Sequence, residues 1–138
     1  MPALDIYHDQ VKNALIKDGW TITDDPLTIR FGRRVLYVDL AAQRLLAAER
    51  AGSRIAVEIK SFVGRSDVLD LEQDLGQFVL YAEVLAETDP DRILYLAVEE
   101  AAYEAVFEEP IGELLLLKKR LRVIVFDSDT EEIRRWIS

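Results

Sequence analysis

The sequence predicts an α/β protein of the α+β kind, with one central mixed β-sheet flanked by helices and a single domain over residues 1–138. Three stretches carry that expectation. Ile93-Leu94-Tyr95-Leu96-Ala97-Val98 is an unbroken apolar run, the pattern of a strand buried on both faces. Ile55-Ala56-Val57-Glu58-Ile59 places β-branched side chains at every second position, as a strand favours. Between them, residues 67–87 keep helical spacing. The strand-helix-strand-helix order of the second half requires at least one parallel crossover.

Residues 4–18 read as a helix, with Leu4, Tyr7, Val11, Ala14 and Leu15 on one face and Gly19 as its stop. Short strands follow at 20–23, 27–31 and 35–38, separated by turns at Asp24-Asp25-Pro26 and Gly32-Arg33-Arg34. The third strand ends at Asp39. Residues 40–51 admit two readings. Their alanines favour a helix, and the stretch also fits the first arm of a hairpin turning at Ala51-Gly52-Ser53. A tight hairpin sets Leu45 across from Glu58; a longer connection brings Asp39 there.

A strand over 55–62 and a loop at Gly64-Arg65-Ser66 come next. Ser66 or Asp67 caps the long helix, and Asp67, Asp70 and Glu72 crowd its first turn, where the helix dipole favours acids. Leu71, Leu75, Phe78, Ala82 and Leu85 form its core stripe, with Gln73, Gln77 and Tyr81 on the neighbouring one. Beyond the turn Asp89-Pro90-Asp91 lie a strand at 92–98 and helices at 99–108 and 110–118. A strand at 121–126 and a short terminal helix ending in Trp136 complete the chain. The leucine run 114–117 reads as core, with a homo-oligomer interface as the other use. No internal repeat, low-complexity segment or linker is evident.

Composition narrows the function. Without cysteine there is no disulfide framework and no thiolate ligand or nucleophile. No apolar run approaches the roughly 20 residues of a membrane span, and the N-terminus lacks a secretory pattern, so a cytoplasmic protein is expected. Acids outnumber bases 26 to 17, for a net charge of −9. That balance weighs against binding free nucleic acid over the whole surface and leaves a local patch or a basic partner.

The chemistry lies on the strand. Alternation puts Glu58 and Lys60 on one face, opposite Val57 and Ile59. A carboxylate and an ammonium so placed suit a divalent cation and a water beside a phosphate. Asp39 and Glu58 would ligate Mg²⁺ or Mn²⁺, with the Ile59 main-chain carbonyl as third donor. Lys60 would orient or deprotonate the attacking water. Gln77 and Tyr81 would hydrogen-bond substrate or Lys60. His8 is a candidate accessory ligand or proton shuttle, though a surface histidine is the commoner case. Taken singly each feature has a plainer meaning: a solvated Glu-x-Lys face, an acid forming a turn, a polar helix edge.

In order, Val38-Asp39, Val57-Glu58-Ile59-Lys60 and Gln77-Phe78-Val79-Leu80-Tyr81 resemble the PD-(D/E)xK nuclease superfamily, the last element its RecB-like branch. Segments 14–23, 55–62, 75–81, 92–98 and 107–112 more closely resemble the XisH family, the fdxN element excision controlling factors of cyanobacteria. The resemblance implies a restriction-endonuclease-like fold and a part in programmed DNA excision beside an XisI-like companion protein. It gives Asp39, Glu58 and Lys60 catalytic positions and Gln77 and Tyr81 accessory ones. Val38 stands where the superfamily has proline. Three functions are expected to compete: a Mg²⁺-dependent DNA endonuclease, a catalytically silent regulator that binds a partner protein and, last, a purely structural domain with Glu58–Lys60 as a surface ion pair.

Overall fold

The computed structural model describes residues 5–44, 52–62 and 66–138. Along the chain these form α1 (His8–Lys17), β1 (Thr21–Asp24), β2 (Leu27–Phe31), β3 (Arg34–Val38), β4 (Leu40–Arg44) and β5 (Ser53–Lys60). Then come α2 (Asp67–Thr88), β6 (Arg92–Glu99), α3 (Glu100–Phe107), α4 (Pro110–Leu117), β7 (Val123–Asp127) and β8 (Glu132–Ile137). Leu4, Leu45, Ala51 and the loop residues Gly64 and Arg65, all named above, fall outside the described residues, as does Glu49, which the sequence offers as a reserve for Asp39.

Six strands make a mixed sheet in the order β1-β4-β5-β6-β7-β8. Its centre, β5-β6-β7, is parallel, and its flanks are antiparallel. The expected crossover is the β5-α2-β6 unit. Ser66 caps α2 by accepting from Leu69 N. Phe78, Leu85 and Leu71 on α2 pack with Ala56, Leu96, Val98, Val123 and Phe107 on one face of the sheet. Val11 and Leu15 of α1 pack with Val57, Ile59, Ala97 and Phe126 on the other. β5 therefore sends Ala56 to the α2 face and Val57 and Ile59 to the α1 face.

Two expectations are corrected and one open reading is settled. Residues 40–44 take the hairpin-arm reading and not the helical one: Leu40, Ala41 and Ala42 are fully buried between β1 and β5. Pairing on both edges outweighs the helix propensity of alanine. Among the described residues β2 and β3 pair only with each other, as a separate two-stranded sheet lying over α2 through Ile29 and Val38.

The terminal segment is a strand, β8. Its apolar residues Ile133, Trp136 and Ile137 are spaced i, i+3, i+4, which mimics a helix. A bulge explains the spacing. Val125 pairs with Arg135 but Phe126 with Ile133, so Arg134 is the extra residue. The insertion turns both Ile133 and Trp136 to the α1 face, where Trp136 packs on Trp20 and Tyr95. In the leucine run, Leu115 and Leu116 lie against the core while Leu114 and Leu117 are exposed.

Candidate active site

Asp39 is the single residue between β3 and β4, where the chain leaves the small sheet for the large one. Leu40 pairs with Val57, and that register sets Asp39 across from Glu58. Side chains then take over from the backbone ladder. Asp39 N donates to Glu58 Oε1 (3.1 Å), and Ile59 N donates to Asp39 Oδ2 (2.7 Å). Each carboxylate is anchored by an N–H of the opposite strand.

Lys60 closes β5 on the face of Glu58. Its Nζ lies 3.6 Å from Glu58 Oε2 and 3.6 Å from Asp74 Oδ1, and it donates to Gln77 Oε1. Asp74 and Gln77 stand one turn apart on α2, so strand and helix hold the ammonium between them.

The acids here resist ionisation. Burial pushes Glu58 up to about 8, the Asp39 charge beside it adds to the rise, and Lys60 opposes it. Burial raises Asp74 to about 6, again against Lys60. Asp5, ahead of α1, is raised by burial despite the hydrogen bond it accepts from Tyr7 N (2.9 Å); Asp39 adds to its rise and Ser61 counters it. One ammonium lies 3.6 Å from both Glu58 and Asp74, and Asp39 and Asp5 add two further carboxylates to the cluster. Such perturbed groups concentrate at functional sites.

A divalent cation would relieve this charge. Asp39 and Glu58 fit as its carboxylate ligands. The Ile59 carbonyl, on the strand edge that its N–H shares with Asp39, fits as a third donor. Among the described residues no three His, Cys, Asp or Glu side chains gather as a metal-binding group. A cation held here would have two carboxylates and a main-chain oxygen as donors, with positions left for water and phosphate.

The structure brings together Asp39, Glu58, the Ile59 backbone, Lys60 and Gln77. Tyr81, one turn beyond Gln77, is half-buried against the main core. His8 is engaged elsewhere and is not a surface residue. It is 5% exposed, with Nε2 2.7 Å from Asp25 Oδ1, and ties α1 to the turn before β2. Lys12 shares that carboxylate at 2.7 Å. Sequence reasoning missed Asp74 and Asp5. Asp74 did leave a signal: it sits three residues after Leu71 and four before Phe78, an acid on the buried stripe of α2.

The profile described as XisH protein matches residues 1–134. The crystal structure of an XisH family protein from Nostoc punctiforme PCC 73102 is 38% identical and superposes with a TM-score of 0.87, covering 97% of this chain and 100% of that one. A fdxN element excision controlling factor protein from Anabaena variabilis is 40% identical with a TM-score of 0.85, covering 98% and 100%. No curated protein matches the chain. Profile and both structures agree across nearly the whole length, so the chain belongs to the XisH family.

Proposed function

We propose that this chain serves in the control of DNA element excision as a metal-dependent phosphodiesterase of the PD-(D/E)xK kind, acting on DNA beside an XisI-like companion. The relative from Anabaena variabilis, a fdxN element excision controlling factor, supports the process. The observation that carries the chemistry is Asp39, just before β4, held opposite Glu58 of β5 by hydrogen bonds, with Lys60 on the face of Glu58. Held by Asp39, Glu58 and the Ile59 carbonyl, Mg²⁺ or Mn²⁺ would activate a water and draw charge from the phosphate. Lys60 stands where it can orient the water or pair with a phosphate oxygen. Asp74 and Gln77 position its ammonium.

Calorimetric titration of Mn²⁺ and Mg²⁺ tests the metal site. Wild type should bind one ion, and Glu58→Ala should weaken binding at least tenfold. Lys60→Met should keep the ion but cut plasmid DNA about 10²-fold more slowly. If wild type takes up no ion, alone or with the companion, the hydrolytic reading falls.

The outer face of α2 favours a second reading, partner binding. Val68-Leu69-x-x-Glu72 recurs eleven residues later as Val79-Leu80-x-x-Glu83, a short echo that aligns these residues along three helical turns. All four aliphatic side chains are 46–55% exposed. α2 carries six acids and no base, which suits a basic, apolar partner surface. Leu80→Glu should abolish co-elution with the companion while leaving Mn²⁺ binding intact. Unchanged co-elution would remove this face from consideration.

A further inference from the structure

The β2–β3 hairpin concentrates positive charge in an acidic protein. Residues 26–38 contain Arg30, Arg33 and Arg34 and no acid. Among the other described bases, Lys12, Arg44, Arg54, Lys60, Arg92 and Arg134 each pair with a carboxylate, whereas Lys118, Lys119, Arg120 and Arg122 pair with none. Among the described residues Arg30, Arg33 and Arg34 pair with none, and all three are exposed.

Register explains how they are displayed. Opposed pairs Leu27–Val38 and Ile29–Leu36 point inward onto the core over α2. Pairs Thr28–Tyr37 and Arg30–Val35 therefore point outward. Phe31 and Arg34 face each other at the tip, where Gly32, at φ +60°, allows the tight turn. Phe31, Val35 and Tyr37 are exposed large apolar side chains on this same hairpin. Its last residue, Val38, adjoins Asp39.

We infer that the β2–β3 hairpin is the nucleic-acid-binding element, with Arg30, Arg33 and Arg34 on the phosphodiester backbone next to the Asp39–Glu58 site. The inference rests on the phosphodiesterase reading for its choice of ligand. Charge decides between polyanions and other partners. An acid-free, unpaired arginine set attracts phosphates, whereas the rest of a −9 protein repels them. Arginine is also the side chain whose planar fork matches a phosphate. Exposed Phe31 and Tyr37 offer stacking surfaces to unpaired bases. The geometry scales with DNA. Five residues of extended chain from Arg34 to Asp39 span about 17 Å, roughly five base-pair rises.

The test is fluorescence anisotropy with a labelled 20-base-pair duplex and its single strand, in EDTA, so that cleavage is not needed. Wild type should bind the DNA at 50 mM salt. The triple variant Arg30→Ala, Arg33→Ala, Arg34→Ala should bind at least tenfold more weakly. Its log–log salt dependence should be shallower by about one for each arginine that meets a phosphate. The other exposed basic cluster serves as control: Lys118→Ala, Lys119→Ala, Arg120→Ala should change binding less than twofold. All six positions are exposed, and unchanged melting curves will confirm folding. Preference for duplex or single strand assigns the form of DNA, and either supports the hairpin. The inference is overturned if the hairpin variant binds as wild type, if the control loses binding instead, or if wild type binds neither DNA. It is also overturned if the hairpin proves to hold only polyglutamate, which would make the partner an acidic protein. A protein that binds through the hairpin yet never cleaves leaves the inference standing and sinks hydrolysis alone.

Discussion

Glu58→Gln should melt higher than wild type at pH 8.5 and close to it at pH 4.5, both without metal. The sign follows from linkage. Glu58 keeps its proton up to about pH 8 in the folded protein, whereas its ordinary value is 4.5. Its contribution to stability is fully present below pH 4.5 and is lost as pH rises through 8, because folding then forces a charge into a buried site beside Asp39. Asp74, raised to about 6 from 3.8, acts in the same direction over pH 4–6. Glutamine removes the Glu58 part. The expected gain at pH 8.5 is about 2–4 kcal/mol, on the order of 10 °C in melting temperature. A parallel fall for wild type and variant would show that Glu58 ionises as an ordinary carboxylate.

Divalent metal should reverse the trend. An ion bound at Glu58 displaces its proton, so Mn²⁺ affinity should rise about tenfold per pH unit below pH 8 and then level off. One proton per ion, counted by calorimetry in two buffers of different ionisation enthalpy, checks the stoichiometry. A flat affinity profile would place the metal away from Glu58.

The second large effect concerns the scaffold. A Cβ at Gly112 would lie 2.1 Å from Val106 O and 2.7 Å from Phe107 Cα. Both are backbone atoms, so α4 would have to move off α3 and uncover Val106 and Phe107, which are buried in the main core. Gly112→Ala should cost about 3–5 kcal/mol, a large part of a typical domain's stability. Gly76 is the contrast. A Cβ there meets nothing within 4 Å, and the residue lies inside the 22-residue α2. Gly76→Ala should stabilise by up to about 1 kcal/mol. Urea denaturation of the two variants should give shifts of opposite sign. Equal shifts would mean that α3 and α4 do not meet at Gly112.

Sequence pattern alone determined the parts whose signal is local. β5 and β6 declared themselves by β-branched and continuous apolar runs, and α2 by its cap, its acidic first turn and its stripe. Glu58 and Lys60 share a face because side chains alternate along any strand. Gln77 reaches Lys60 from the one helix with the right phase. Tertiary structure decided the rest. The span between Asp39 and Glu58 left two registers open, and only the pairing of Leu40 with Val57 set the carboxylates opposite each other. Ala41 and Ala42 form a strand because β1 and β5 pair with both their edges. β8 reads as a helix because one bulged residue shifts the phase of its apolar side chains. Asp74 joined the site, and His8 left it for Asp25, through contacts between residues 14 to 17 positions apart. Periodicity reports which face of an element is apolar; which element lies against that face is settled by pairing and burial across the chain.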